Sequence, residues 1–281
     1  LLFKDGRYYD GNFVQNRADG FGTMTFPDDY PEFKEYSGNW KNDAWDGKGK
    51  LLFKDGRYYD GNFVQNRADG FGTMTFPDDY PEFKEYSGNW KNNAWDGKGK
   101  LLFKDGRYYD GSFVQNRAEG YGTITYPDDH PDFVEYSGNW KNNTWDGEGA
   151  LKYKNGNFYQ GQFAVNYPNG LGSYTFSNDD KSSRKSYIGQ FVHDYFEGDG
   201  VLFYRGGKIE IGNYRNDLLV NGYLILLKWN RYCSVKVIDS IPGKKERIKD
   251  IKSYIENIIR DSPIKEQLLC AIKESGIFDS F

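Results

Sequence analysis

Residues 1–50 and 51–100 are the same text except at one position, Asp43 against Asn93. Residues 101–150 repeat the block with 39 of 50 positions identical to the second copy, and residues 151–200 keep its frame with more drift. A fixed period means that each block does the same structural job, so the chain is an array of like units. It also argues against a catalytic centre within the array, because catalysis needs one asymmetric constellation.

Each block splits into two smaller units. The first reads Tyr9-x-Gly11-x-Phe13, six residues, then Gly20-x-Gly22. The second reads Tyr36-x-Gly38-x-Trp40, six residues, then Gly47-x-Gly49. The pattern returns at Tyr59, Tyr86, Tyr109, Tyr136, Tyr159 and Tyr187, with steps alternating between 27 or 28 and 23 residues. Residues two apart share a strand face, so Tyr9, Gly11 and Phe13 line one face and Gly22, Met24 and Phe26 line the same face of a partner strand. Turn residues lie between, as Asn16-Arg-Ala-Asp-Gly20 or Asn42-Asp-Ala-Trp-Asp-Gly47. The spacing predicts β-hairpins added edge to edge. A β-propeller is the competing reading, since four strands per block resemble a blade. The likeness of the two half-blocks makes the hairpin the unit.

The motif closely resembles the MORN (membrane occupation and recognition nexus) repeat, Tyr-x-Gly-x-Trp/Phe followed by Gly-x-Gly, in eight instances over roughly residues 8–205. The resemblance implies an all-β repeat array, a single-layer elongated antiparallel sheet of hairpins, to which the sequence adds a small helical tail. The expected divisions are a repeat array at 1–205 with an orphan strand at 1–6, a degenerate ninth unit and closing strands at 206–240, and two amphipathic helices at 241–281. The ninth unit, Glu210-Ile-Gly212-Asn-Tyr214, lacks the first Tyr, as a capping repeat would. Leu1-Leu2-Phe3 copies Leu51-Leu52-Phe53, which belongs to the second strand of a hairpin. The expectation is therefore at least one further hairpin upstream.

Composition agrees with thin layers held by rings. Aromatics make up 19% of the chain against 37% hydrophobic residues in all, so Tyr and Phe must do much of the work of a core. The net charge of −4, with both signs mixed, leaves no electrostatic footprint for nucleic acid. Cys233 and Cys270 make no disulfide framework, so a reducing compartment is expected. No metal-ligand cluster, triad or phosphate loop can be picked out. No catalytic, cofactor or metal residue is therefore named, and no enzyme is expected.

The tail reads as strands through Ile238, a break at Ile241-Pro242-Gly243, then helix from Lys244 with Ile248, Ile251, Ile255, Ile258 and Ile259 on one stripe. Ser262-Pro263 opens a second helix with Ile264, Leu268, Leu269 and Ile272, and Gly276 caps its C-terminus. The stripes either cap the open end or groove of the sheet or dock a partner. Lys244, Lys245, Arg247, Lys249 and Lys252 add a membrane-surface reading, interrupted by Glu246 and Asp250.

Two edge features stand out. Trp45, Trp95 and Trp145, followed in phase by Phe196, are placed in the hairpin turns at about 19 Å spacing, four strands apart. Each ring either packs over its own turn or belongs to an aromatic ladder for an extended partner. On the opposite edge Asp28, Asp29 and Glu32 recur as Asp78, Asp79 and Glu82, then as Asp128, Asp129 and Asp132, a solvated row or one that meets a basic partner. The partner-binding candidates are Trp45, Trp95, Trp145 and Phe196, the motif rings Tyr9, Phe13, Tyr36, Trp40, Tyr59, Phe63, Tyr86, Trp90, Tyr109, Phe113, Tyr136 and Trp140, and Ile251, Ile255, Ile258 and Leu268 of the tail. The resemblance implies a non-enzymatic scaffold or adaptor, a ladder of about 75 Å. Its expected setting is a cytoplasmic cytoskeletal assembly, the ciliary axoneme foremost, as in radial-spoke heads, or a protist structure. Expected partners are other proteins, such as a helix in the sheet groove or a second MORN protein, and no nucleic acid. The alternative is a peripheral membrane tether binding anionic phospholipid.

Overall fold

The computed structural model describes residues 1–228 and 231–274. It divides into two compact units, Leu1–Asp129 with Trp140–Asn143, and His130–Asn139 with Thr144–Phe281. The first holds β1 (Tyr8–Val14), β2 (Arg17–Thr25), β3 (Phe33–Lys41), β4 (Ala44–Phe53), β5 (Tyr58–Val64), β6 (Arg67–Thr75), β7 (Phe83–Lys91), β8 (Ala94–Phe103), β9 (Tyr108–Val114) and β10 (Arg117–Thr125). Strand β11 (Phe133–Lys141) contributes to both units. The second unit continues with β12 (Thr144–Tyr153), β13 (Phe158–Ala164), β14 (Tyr167–Thr175), β15 (Arg184–Val192), β16 (Tyr195–Tyr204), β17 (Ile209–Arg215), β18 (Leu218–Lys228), β19 (Arg231–Ile238) and β20 (Ile241–Arg247), then α1 (Ile251–Ile258) and α2 (Lys265–Glu274). Each strand from β1 to β9, and each from β12 to β19, pairs antiparallel with the next. The fold is an all-β hairpin array with a short helical tail.

The hairpin turns are two residues long and lie earlier than the Asp-Gly pairs suggested. Gln15-Asn16 and Asn42-Asp43 both have φ between 48° and 68°. Positive φ at both central residues is the turn whose twist matches that of the strands. The Asp-Gly pairs instead form a bulge within the second strand. Gly11 faces Gly22 and Phe13 faces Ala18, so one residue of one strand, Asn12, opposes three of the other, Asp19, Gly20 and Phe21. Gly20 sits in that bulge at φ 100°, where a side chain would be strained.

The other glycine of the pair has a different reason. A Cβ on Gly22 would lie 2.3 Å from the Tyr9 hydroxyl oxygen. The tyrosine ring therefore lies directly over the paired glycines. Its hydroxyl donates to the carbonyl of Asn12, at the register shift, at 3.0 Å. The same bond recurs from Tyr36 to Asn39, Tyr59 to Asn62 and Tyr86 to Asn89. The motif thus encodes a ring, the floor it lies on and a bulge carbonyl that its hydroxyl satisfies.

Side chains in the turns tie each hairpin to an earlier one. Asn66 donates its N–H to the Trp45 carbonyl at 3.0 Å, and its Oδ1 accepts from the Trp45 N–H at 2.8 Å. Asp43 grips Ala18 in the same way, as Asn93 grips Ala68 and Asn116 grips Trp95. Only an acceptor oxygen is used, so Asp and Asn serve equally. The single difference between the first two blocks, Asp43 against Asn93, falls at this position. On the opposite edge, Lys54 Nζ donates to the carbonyls of Pro27 and Asp28, which secures the acidic loop.

In the tail, Ile241–Arg247 is a strand and not the break and helix start that Pro242-Gly243 implied. Asp239-Ser240 makes another two-residue turn, and Pro242 lies near the start of an edge strand, where its missing N–H is tolerated. Asp250 caps α1 by accepting from the Ser253 N–H. The helices do not enter the face that carries the motif rings. They pack on the opposite face of the last strands, where Val201, Phe203, Ile209, Ile211 and Ile225 meet Ile251, Ile255, Leu268 and Ile272. Ile258 packs partly buried against the same cluster. In the repeats that face carries Thr and Ser, as in the Thr23–Ser37 hydroxyl pair. In the last hairpins both faces are apolar, so the outer one must be covered. Tyr254 donates to Ser234 and Ser262 donates to Asp199, fixing the helices to the sheet. Gly276, expected as a cap, lies outside the described residues.

Candidate partner-binding groove

The motif rings stand on one face and touch across alternate strands. Strands two apart lie about 9.6 Å from one another, so only large side chains span the gap. Tyr36 contacts Phe63 edge-on at 5.2 Å, Tyr9 contacts Trp40 at 5.2 Å, and Tyr59 contacts Trp90 at 5.1 Å. Each such pair adds about 0.5–1.5 kcal/mol beyond the area it buries. Trp40 also donates its indole N–H to the Gly22 carbonyl of the preceding hairpin at 3.0 Å.

Trp45 is the second residue of β4 and does not lie in the turn. The two-residue turn ends at Asp43, so Trp45 faces inward as the first ring of the second strand. It stacks on Tyr36 at 4.5 Å and 10°, and Trp95 on Tyr86, Trp145 on Tyr136 and Phe196 on Tyr187 repeat the pair. The structure places nearly all the partner-binding candidates in the core. Tyr9, Tyr36, Tyr59, Tyr86, Tyr109 and Tyr136 are buried, as are Trp40, Trp90, Trp140, Trp45, Trp95, Trp145, Phe196, Phe63 and Phe113. Phe13 is 47% exposed, because the rings that cover Phe63 belong to the hairpin before it and β1 has none. Ile251, Ile255 and Leu268 are buried against the sheet.

What these rings leave open is a series of hollows. One, of about 590 Å³, is lined by Phe26, Tyr30, Phe33, Trp45, Asp43 and Asn66. A second, of about 480 Å³, is lined by the residues 50 positions on, Phe76, Tyr80, Phe83, Trp95, Asn93 and Asn116, and shares Phe33, Trp45 and Asn66 with the first. In the other unit a hollow of about 440 Å³ is lined by Phe133, Trp145, Tyr174, Phe176, Phe191 and Phe196. The motif rings form the floor and the turn Asx residues form the rim. The rim was not legible as a site. Its signal was the Asp43/Asn93 exchange, which marks a position that needs only a carbonyl-type oxygen.

The MORN repeat pattern matches residues 9–29, 36–56, 59–79, 86–106, 109–130, 136–158, 159–181 and 187–208, more than half of the chain. The chain belongs to the MORN repeat family. These segments coincide with the eight hairpins whose Tyr lies over paired glycines, and the ninth MORN-like hairpin, with Glu210 in place of the first ring and Tyr214 as the second, falls beyond them. No curated protein matches the MORN chain. Among solved structures, the SAS-4 (dCPAP) TCP domain of Drosophila melanogaster, in complex with a proline-rich motif of Ana2 (dSTIL), is similar at 12% identity and a TM-score of 0.24. That likeness covers 72% of this chain and 84% of that one. Among the described residues no group of three or more His, Cys, Asp or Glu could hold a metal ion. No described helix is long and apolar enough to cross a membrane.

Burial drives the phenol pKa of the MORN tyrosines Tyr36, Tyr59 and Tyr86 well above the ordinary 10.0. The folded state thus favours the neutral phenol. Its contribution is whole below about pH 10 and is lost as pH rises toward the folded values. Alkaline titration is expected to show these phenols ionising together with loss of β-sheet circular dichroism. Ionisation near pH 10 with the sheet intact would contradict the buried placement.

Proposed function

We propose that this MORN chain is a non-catalytic scaffold that holds protein segments in its ring-lined hollows, within a cytoskeletal assembly of the cytoplasm. The carrying observation is the recurrence of one hollow at a 50-residue interval, with the same rings on the floor and the same polar rim. A repeated subsite suits a repeated or elongated partner, whether a helix lying on the rings or a second MORN chain. The edges of Trp45, Trp95, Trp145 and Phe196 that line the hollows are the surfaces such a partner would touch. The run of eight MORN repeats favours the ciliary axoneme, including radial-spoke heads, or a related protist structure as the place to look.

Photo-crosslinking from the hollows in the native assembly tests this, with the exposed outer face as control. Crosslinks to axonemal or other cytoskeletal proteins from the hollow alone are expected. Flotation with anionic liposomes at physiological salt supplies the opposing arm. Binding by residues 1–240 without the basic tail would replace the scaffold reading with a membrane tether.

A further inference from the structure

The repeated hollow is not chemically uniform. In unit 1 the second hollow is lined by Arg57, Ala68, Asn93 and Asn116. The equivalent positions of the hollow in unit 2, one hundred residues on with a one-residue insertion, are Asn157, Pro168, Asp194 and Asp217. Two rim amides have become carboxylates, and the arginine lining the hollow has moved from the Arg57 position to Arg184, which stands where unit 1 has Phe83.

The proline substitution decides what one of those carboxylates can do. At Asp43 the rim carboxylate accepts the Ala18 N–H, and at Asn93 the rim amide accepts the Ala68 N–H. Asp194 keeps the backbone half of this clamp, donating its N–H to the Pro168 carbonyl at 3.1 Å. Pro168 has no N–H to return. The Asp194 carboxyl therefore accepts no hydrogen bond among the described residues, although it lines the hollow. Asp217 is bound to the Phe196 N–H at 2.7 Å and forms no ion pair among the described residues. The one cation lining this hollow, Arg184, is already taken up. It pairs with Asp180 at 2.8 Å and lies over the Phe176 ring at 4.1 Å. Burial, and then the charge of Asp217, raise the Asp194 pKa, while His193 opposes them. Two carboxylates thus repel one another in a hollow lined by Trp145, Phe191 and Phe196.

We infer that the unit 2 hollow, alone among the three described, accepts a lysine or arginine side chain of the bound protein segment, with Asp194 and Asp217 as the anionic rim and the rings as the floor. The inference rests on the scaffold reading and specifies the partner's chemistry at one subsite. A cation there gains from both carboxylates, and its aliphatic stem can lie along the apolar rings. In unit 1 the second hollow has amides at both rim positions, and the first has one carboxylate, Asp43, which the Ala18 N–H already engages, so neither offers the paired carboxylates that would select a cation. A resident metal ion is not the occupant, because two carboxylates fall short of a ligand set.

The test selects a phage-displayed library of random linear peptides on the full chain, on Asp194→Asn/Asp217→Asn and on Pro168→Ala. Both asparagines already occur at equivalent rim positions, at Asn93 and Asn116, so the double variant should fold. Binding sites are mapped by chemical-shift changes of the Trp145 indole and of Phe196. Peptides from the unmodified chain should carry Lys or Arg at a recurring position and shift both signals. They should bind the double variant about tenfold more weakly. They should also bind Pro168→Ala more weakly, because the restored N–H engages Asp194. Hollow-bound peptides with no basic preference, or with affinity unchanged in the double variant, would overturn the inference and leave the scaffold reading intact. Failure to enrich any peptide, or enrichment only of peptides that leave both signals unmoved, would overturn that reading and the inference with it.

Discussion

Replacing Tyr86 by alanine is expected to destabilise its unit by about 3–5 kcal/mol, the cost of emptying a buried aromatic site. The residue is fully buried. It stacks on Trp95 at 4.4 Å, meets Trp90 and Phe113 edge-on at 5.3 Å each, and donates to the Asn89 carbonyl at 2.8 Å. With a typical domain stable by only about 5–15 kcal/mol, such a loss is severe. Each hairpin is tied mainly to its neighbours, so urea denaturation followed by tryptophan fluorescence should show an earlier separate transition and not a uniform shift. Tyr86→Phe removes only the hydroxyl and should cost about 0.5–1.5 kcal/mol. Gly99→Ala attacks the same contact from below, since its Cβ would lie 2.4 Å from the Tyr86 hydroxyl oxygen. Combined with Tyr86→Ala it should add little, because the methyl group then enters the vacated space. Full additivity would show that the ring and the glycine do not form one device.

The second large effect concerns the rim. Asn66→Ala is expected to cost about 2–4 kcal/mol, combining an unpaired N–H on Trp45 with the strain of a side chain at positive φ. Three substitutions separate the causes. Asn66→Gly keeps the backbone relaxed and loses only the acceptor, so it should fall between Asn66→Ala and the unmodified chain. Asn66→Asp keeps the acceptor and should stay within about 0.5 kcal/mol, as at sites away from damage, because Asp43 and Asp217 already fill this role. Thermal denaturation of the set gives the order Asp, Gly, Ala. A loss from Asp equal to that from Ala would mean that the amide nitrogen, and not the oxygen, carries the clamp.

Much of this architecture was legible in the chain because the period reports it many times over. The Tyr-x-Gly-x-Phe/Trp and Gly-x-Gly spacings identified the hairpin and the face its rings share. The turn was misplaced for a definite reason. Asp-Gly is a strong turn signal, but at Asp19-Gly20 the same backbone preference serves a bulge, and the turn is Gln15-Asn16. That shift moved Trp45 from the edge into the core. The tail diverged similarly, because Pro242 is compatible with either a break or an edge strand, and pairing with β19 selected the strand.

The sequence by itself determined the repeated hairpin, its family and the order of its units, since each follows from local spacing copied eight times. Tertiary structure decided which surface those hairpins present. Whether a ring is core or contact depends on the hairpin before it, as Phe13 and Phe63 show, and that dependence has no local signature. The rim is also a property of pairs far apart in sequence. Asp194 is an ordinary turn residue until it is placed against Pro168, where the missing N–H leaves its carboxylate to the hollow.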